Sequence, residues 1–322
     1  MASADKQTGN LTRDILIGAV LRFLAGQDPV LLESSRAALE REIDGAGPDA
    51  LIALDERLTM DIGWEYYPRD PLAQRIHHLL ADRFLLEGSE LQGAEHLARV
   101  VTGPVVMFAN HLSYADANVV EVLLQRSGGE ALANRLTAVA GPKVFTSRQR
   151  RFSSLCFGTI KAPQSAGVSS EEATLSARDV ARAARRSIEV ARGRLRAGDV
   201  LLLFGEGTRS RTGEMQPMLA GAARYLDVPG VWVLPAGLTG SEQFFPIDGA
   251  TIRPARITMR LGCPARADAL LAGADGDRRL VMDAIGLAVA ELLPPRYGGV
   301  YADGDCFPEA RQVLEAARLT SA

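Results

Sequence analysis

The residues best suited to chemistry lie together in the stretch PVVMFANHLSYADANVV, Pro104 to Val120. An apolar run, Val105 to Phe108, reads as a buried strand, and Asn110, His111, Ser113 and Asp116 follow it before a helical pattern that continues to Leu124. An imidazole near neutral pH can take a proton from a hydroxyl, and a carboxylate can fix its tautomer and offset the imidazolium charge. No serine or cysteine nucleophile is required when the substrate brings the hydroxyl. His and Asp five positions apart do not share a face of a regular helix. His111 is therefore expected in the loop, with its ring folded back onto the first turn of the helix. The same letters have a plainer reading, because Ser113 and Asp116 fit S-x-x-D, a capping box that would start that helix. The two readings are compatible.

A second block lies downstream. Val200 to Phe204 reads as a buried strand and ends at Gly205-Glu206-Gly207-Thr208-Arg209-Ser210-Arg211. Glycines allow a sharp turn and bring amide hydrogens towards an anion, and backbone amides from Gly205 to Gly207 are candidate oxyanion donors. Arg209 and Arg211 can each fork onto phosphate oxygens. In an extended segment residues two apart point to one side, so both are expected to converge on one phosphate. The alternative is a surface turn whose arginines pair with Glu206 or Glu214. Lys143 and Lys161, each near the end of a strand-like run, are candidate supporting cations or plain surface lysines.

The two blocks together resemble the glycerolipid acyltransferases, the family that acylates glycerol-3-phosphate and lysophosphatidate. NHLSYAD matches its N-H-x4-D motif, and LLLFGEGTRSRTG (Leu201 to Gly213) resembles its F-P-E-G-T-R-S block. AGPKVF with GTIKAP (Ala140 to Pro163) and VLPAGL (Val233 to Leu238) resemble two weaker blocks in the family's order, so the resemblance covers roughly Val105 to Leu238. It implies catalytic roles for His111 and Asp116. It also implies that Glu206, Gly207, Thr208 and Arg209 form the acceptor end, with Glu shaping the site and Arg meeting the phosphate. One letter departs: the family's usual proline is Gly205 here, and Arg211 lies just past the core block. Pro235 matches the last motif and is expected to shape an acyl groove, which Leu234, Leu238, Phe244 and Phe245 would line unless they are core.

The elements that must position these residues follow from periodicity. Leu11 to Ala25, 28–44, 48–60 and Leu72 to Arg99 carry helical spacing, with GAGP at Gly45 to Pro48 as a break. The first helix reads as packed in a small bundle, or as a membrane-surface helix. Trp64, Tyr66 and Tyr67 cluster in an expected loop at the joint between two lobes. His77, His78 and His96 offer no convincing metal set. From Val101 strand-like runs alternate with helices: Val105 to Phe108, Leu136 to Ala140, Gly158 to Lys161, Val200 to Phe204, Val231 to Ala236 and Arg256 to Gly262. The expected fold is α/β: a mainly parallel mixed sheet flanked by helices at 99–322, with an N-terminal helical domain at 1–98. Ala177 to Arg196 reads as a helix with seven arginines and a buried stripe of Val180, Ala184, Ile188, Ala191 and Leu195. Its basic face would be solvated, or would dock an acidic carrier protein or an anionic leaflet.

Composition bounds the partners. The 322 residues are 47% hydrophobic and 23% charged with net charge −3, which gives no argument for nucleic acid. Cys156, Cys263 and Cys306 are too few and too scattered for a disulfide framework or zinc ribbon and suit a reducing compartment. The N-terminus, MASADKQTGN, shows no signal-peptide pattern, and no apolar run is long enough to span a bilayer. The expectation is a cytoplasmic enzyme, peripheral on the inner face of the membrane when it meets lipid. It would use acyl-CoA or acyl-carrier protein as co-substrate, a phosphorylated glycerol as acceptor, and no metal or organic cofactor. Two other classes stand beside it. One is a thioester or lipid hydrolase using the same His/Asp pair, although no G-x-S-x-G elbow occurs. The other is a non-catalytic lipid- or carrier-binding protein.

Overall fold

The computed structural model describes residues 10–24, 26–163, 176–246 and 251–321. Residues 1–9 and Ala25, at the ends of two of the stretches read above, lie outside them. Four helices open the described chain: α1 (Arg13–Phe23), α2 (Pro29–Ala46), α3 (Pro48–Thr59) and α4 (Pro71–Phe84). Three of them begin with proline in the first turn, where its missing N–H costs nothing. The carboxylates of Asp28 and Asp70 accept from the free N–H groups of the turns that follow them. α1 buries Leu16, Ile17 and Val20 against the protein, so its apolar stripe is spent on packing.

The strands are β1 (Tyr66–Tyr67), β2 (Glu90–Gln92), β3 (Val105–Ala109), β4 (Leu136–Ala140), β5 (Gly158–Lys161), β6 (Val200–Phe204), β7 (Trp232–Thr239), β8 (Thr258–Leu261) and β9 (Ala265–Arg266). They form one sheet in the order β1-β5-β4-β6-β3-β7-β8-β2, with β9 beside β7. The central five, β5-β4-β6-β3-β7, are parallel. β8 and β9 run antiparallel to β7, and β1 runs antiparallel to β5. The expected mainly parallel mixed sheet is therefore the observed one. Alternation along the fully buried β3 divides the core. Val105, Met107 and Ala109 face α1–α4 and the helix Asp116–Arg126. Val106 and Phe108 face Ala191, Leu195, Met282, Ile285 and the C-terminal helix Pro308–Ser321.

Three sequence readings need correction. The helix expected over Leu72–Arg99 ends at Phe84: Leu85 turns extended, β2 joins the sheet beside β8, and Gly93 takes φ +78 where a Cβ would strike the Leu261 carbonyl. Tyr66 and Tyr67 are a two-residue edge strand on β5 and not a loop, and Tyr67 is buried. On the helix Ala177–Arg196 the buried stripe is Ala183, Ser187, Ala191 and Leu195, so only the last two expected residues lie on it. Ser187 Oγ takes the middle of the stripe because it donates to the Lys161 carbonyl at 2.7 Å. Four of the seven arginines on that helix meet carboxylates, in the pairs Arg182–Asp179, Arg186–Glu65, Arg192–Asp227 and Arg194–Asp199. Leu234, Leu238 and Phe244 belong to the core.

The helices before residue 98 share their core with the sheet, and β1 and β2 come from within that span. Asp70 ties this region together. Its buried carboxylate accepts from Ala73 N–H at 2.9 Å and from Arg57 Nη1 at 3.0 Å. Asp70→Ala removes a helix cap and leaves a half-buried guanidinium unpaired. It should lower the unfolding free energy by about 2–4 kcal/mol, measured by urea titration.

Candidate active site

Five parallel strands release their chains at one edge of the sheet. In register, Ala109 at the end of β3 lies between Phe204 of β6 and Ala236 of β7. The loop after β3 and the loop after β6 therefore leave from adjacent positions, about 4.8 Å apart. These are the two blocks singled out by residue type.

The first loop is built around Asp116. This residue is the first of the helix Asp116–Arg126, fully buried, with its charge at the positive end of the helix dipole. Its Oδ2 accepts from Leu112 N–H at 2.7 Å, from Ser113 N–H at 2.9 Å and from His111 Nδ1 at 2.8 Å. With the carboxylate accepting, Nδ1 carries the proton and Nε2 keeps its lone pair. The His111 ring lies flat on Phe204, centroids 4.1 Å apart and planes at 16°, and keeps 17% of its side-chain surface exposed. The imidazole is thus held by a carboxylate on one edge and an aromatic face beneath, with its other nitrogen available for proton transfer. The capping box is realised in one half only: Asp116 accepts from Ser113 N–H, but Ser113 Oγ does not take the Asp116 N–H. Ser113 Oγ accepts from Ala115 N–H and donates to the Phe245 carbonyl, and the helix start has no side-chain cap. Asn110 is a residue whose role the sequence left unread. Its amide donates to the Leu238 carbonyl at 3.0 Å and accepts from Leu238 N–H at 2.7 Å, extending the β3–β7 ladder by one side chain.

The second loop grips the first. Glu206, 3% exposed, accepts from His111 N–H through Oε1 at 2.9 Å and from Gln216 N–H through Oε2 at 2.7 Å. Ser210 N–H donates back to the His111 carbonyl at 2.8 Å. The backbone of His111 is held on both sides by residues of the Gly205–Arg211 block. Burial pushes the Glu206 carboxyl up to about 7, the two N–H donors pull the other way, and the Asp116 charge adds to the rise. Gly205, which stands where the related block has proline, is dictated by packing. A Cβ there would lie 2.3 Å from the sulfur of buried Met218. Gly207 sits at φ +72 beneath Leu219, and its N–H closes the turn onto the Phe204 carbonyl at 3.0 Å. That amide is therefore not free to act as an oxyanion donor.

Arg209 leaves this turn with its guanidinium 4.2 Å above the Tyr114 ring. Neither Glu206 nor Glu214 pairs with it, and its Nη1 is shut from solvent with no partner among the described residues. The remaining basic candidates are arranged differently. Ser210 is buried between a half-buried Arg209 and an exposed Arg211. Thr208 is half-buried in the turn. Lys143 lies in the 3-10 turn Pro142–Phe145 after β4, on the same sheet edge and two strands from β3. Lys161 ends β5, one strand further out, and its ammonium sits 3.9 Å from Asp61 and over the rings of Trp64 and Phe145. It belongs to that cluster and is not among the groups gathered round His111. Pro235 interrupts β7 where its antiparallel partner changes from β9 to β8, the place in a central strand where a missing N–H is tolerated. Among the described residues, no group of three or more His, Cys, Asp and Glu could hold a metal ion, and no helix is long and apolar enough to cross a membrane.

Glu206 makes the site sensitive to pH in a defined direction. Its folded value of about 7 exceeds the ordinary 4.5. The folded state therefore binds the extra proton, and the group contributes stability that is full below about 4.5 and is lost as pH rises through about 7. In parallel urea titrations at pH 5 and pH 7.5, the wild type should lose more stability at the higher pH than Glu206→Gln does. Equal slopes would contradict this assignment.

Comparison with known proteins agrees with the geometry. Residues 88–239 match the model of the Acyltransferase family. No curated protein matches the chain. Among solved structures, the 1-acyl-sn-glycerophosphate (LPA) acyltransferase PlsC from Thermotoga maritima is similar at 17% identity and a TM-score of 0.45, over 87% of this chain and 93% of that one. That likeness is a loose one, and the weight rests on the family match. It spans the strand before His111, the His111–Asp116 pair, the Glu206–Arg209 turn and β7. Through these residues the segment 88–239 is similar to the acyltransferase family.

Proposed function

We propose that the protein transfers a fatty acyl group from a thioester to a hydroxyl of a phosphorylated glycerol. Glycerol-3-phosphate is the preferred acceptor and lysophosphatidate the second. The observation that carries the reading is the 2.8 Å bond between His111 Nδ1 and the triply bonded oxygen of buried Asp116. It leaves Nε2 as a base. The acceptor hydroxyl gives its proton to Nε2 as its oxygen attacks the thioester carbonyl, and Asp116 offsets the charge that forms on the ring. The tetrahedral intermediate then expels the thiolate, which takes the proton back from Nε2, so the C–O bond forms and the C–S bond breaks without any change of oxidation state. Arg209 meets the acceptor phosphate and so sets the hydroxyl beside the imidazole, with Arg211 and Lys143 as further cations on the same rim.

The acyl donor is acyl-CoA or an acyl-carrier protein, and neither a metal nor an organic cofactor enters the scheme. The reaction belongs to phospholipid biosynthesis, carried out on the cytoplasmic side with the enzyme touching the membrane only at its surface. The unpaired Nη1 of Arg209 favours an anionic acceptor over water, and hence transfer over thioester hydrolysis.

His111→Ala should lower kcat by about 10²–10⁴ with the thermal midpoint little changed. Arg209→Ala should instead raise the KM for glycerol-3-phosphate while leaving that for the acyl donor alone. Free thiol released from a long-chain acyl-CoA is the readout, with and without acceptor. Acceptor-independent release would make the protein a hydrolase. Near-normal kinetics in both variants would remove the site assignment.

A further inference from the structure

Several arginines lie over aromatic rings, and their surroundings differ. Arg194, 4.1 Å above Tyr66, spends its in-plane donors on both oxygens of Asp199. Arg266, 4.8 Å above Trp232, lies 3.8 Å from Asp268. Arg209, 4.2 Å above Tyr114, has no carboxylate partner among the described residues, and one of its terminal nitrogens is enclosed and unbonded. Its face is occupied, and its enclosed Nη1 has no partner among the described residues.

The two partners come from different loops. Tyr114 stands three residues after His111 on the β3 loop, and Arg209 is on the β6 loop. Tyr114 is 61% exposed, and its ring meets Phe245 edge-on at 6.5 Å. Packing of the core therefore does not require a large side chain at this position. A guanidinium laid on an aromatic face loses water from that face and much of its rotational freedom, while all its N–H groups still point outward in the plane. That arrangement suits a group waiting for the oxygens of a phosphate.

We propose that Tyr114 is a positioning residue for the acceptor, holding the Arg209 guanidinium by its face so that its N–H groups meet the acceptor's phosphate beside His111. The proposal rests on the acceptor reading given above. It assigns to an exposed tyrosine, which touches neither the thioester nor the hydroxyl, part of the enzyme's preference for a phosphorylated acceptor.

The test is steady-state kinetics with glycerol-3-phosphate and one long-chain acyl-CoA. Tyr114→Ala should raise the KM for glycerol-3-phosphate by roughly 3- to 30-fold, the range a cation–π contact supports. The kcat at saturating acceptor and the KM for acyl-CoA should stay near wild type. Tyr114→Phe, which keeps the ring, should retain the wild-type KM, and Tyr114→Leu, apolar but without a ring face, should behave as the alanine variant. In an Arg209→Ala background, Tyr114→Ala should add nothing. A leucine variant equal to wild type would reduce the contact to apolar packing and overturn the proposal. So would an additive effect in the Arg209→Ala background, a changed KM for acyl-CoA, or a fall in kcat with KM unchanged. A wild type that shows no acceptor-dependent thiol release ends the acyl-transfer reading and this proposal together. A wild type that does, alongside an indifferent Tyr114→Ala, ends this proposal alone.

Discussion

The arrangement depends on one buried carboxylate. Glu206 leaves the end of β6, reaches across to the loop after β3 and accepts the His111 N–H, while its second oxygen takes the Gln216 N–H. A carboxyl placed in a dry interior is costly unless its oxygens are satisfied. Here both are, and by two chain segments that must be in place at once. The bond can form only because β3 and β6 are parallel neighbours in register, Ala109 against Phe204. Sheet register, turn geometry at Gly205–Gly207 and the position of the imidazole are thus a single constraint. Met218, packed where a side chain at Gly205 would go, and Tyr301, whose hydroxyl accepts from Met218 N–H, hold the far side of the same turn.

The charges at the site are distributed unequally. The two acids, Asp116 and Glu206, are buried and their bonded oxygens face backbone N–H groups. Neither neutralises Arg209. The cation is left with an aromatic face and one enclosed, unbonded nitrogen, and the imidazole is left with one oriented nitrogen and one free. Both oxygens of Glu206 are satisfied by the fold, whereas Asp116 gathers its three bonds on Oδ2 and leaves Oδ1 buried without a partner among the described residues.

Much of this was legible in the residues. Short apolar runs gave six of the strands because a strand buried on both faces reads as continuous Val, Leu and Phe, as in β3 and β6. The His111–Asp116 pair was legible because spacing excludes a shared helical face. What was not legible depended on partners distant in the chain. β1, β2 and β9 have two or three residues each and are strands only because β5, β8 and β7 offer free backbone beside them. The stripe of the arginine-rich helix was misplaced because Ser187, a polar residue, earns its burial from the Lys161 carbonyl. Glu206 reads in the sequence as shaping the site or, alternatively, as a partner for arginine; its partners are amide hydrogens, which have no letter in a sequence. Asn110 and Tyr114 were visible as letters, but their roles follow from Leu238 and Arg209, more than ninety residues away in each case.

The rims of the sheet come from an unexpected place. One outer strand, β1, and the other, β2, both precede the first core strand in the chain, and they cover β5 and β8 respectively. The acyltransferase match begins at residue 88, and so takes in one of these covers but not the other. A polypeptide cut to begin at the catalytic core would present bare main-chain donors and acceptors along β5, an invitation to intermolecular pairing. The early residues therefore act as a sealing border that keeps copies of the enzyme from zipping together, quite apart from anything they do for the chemistry.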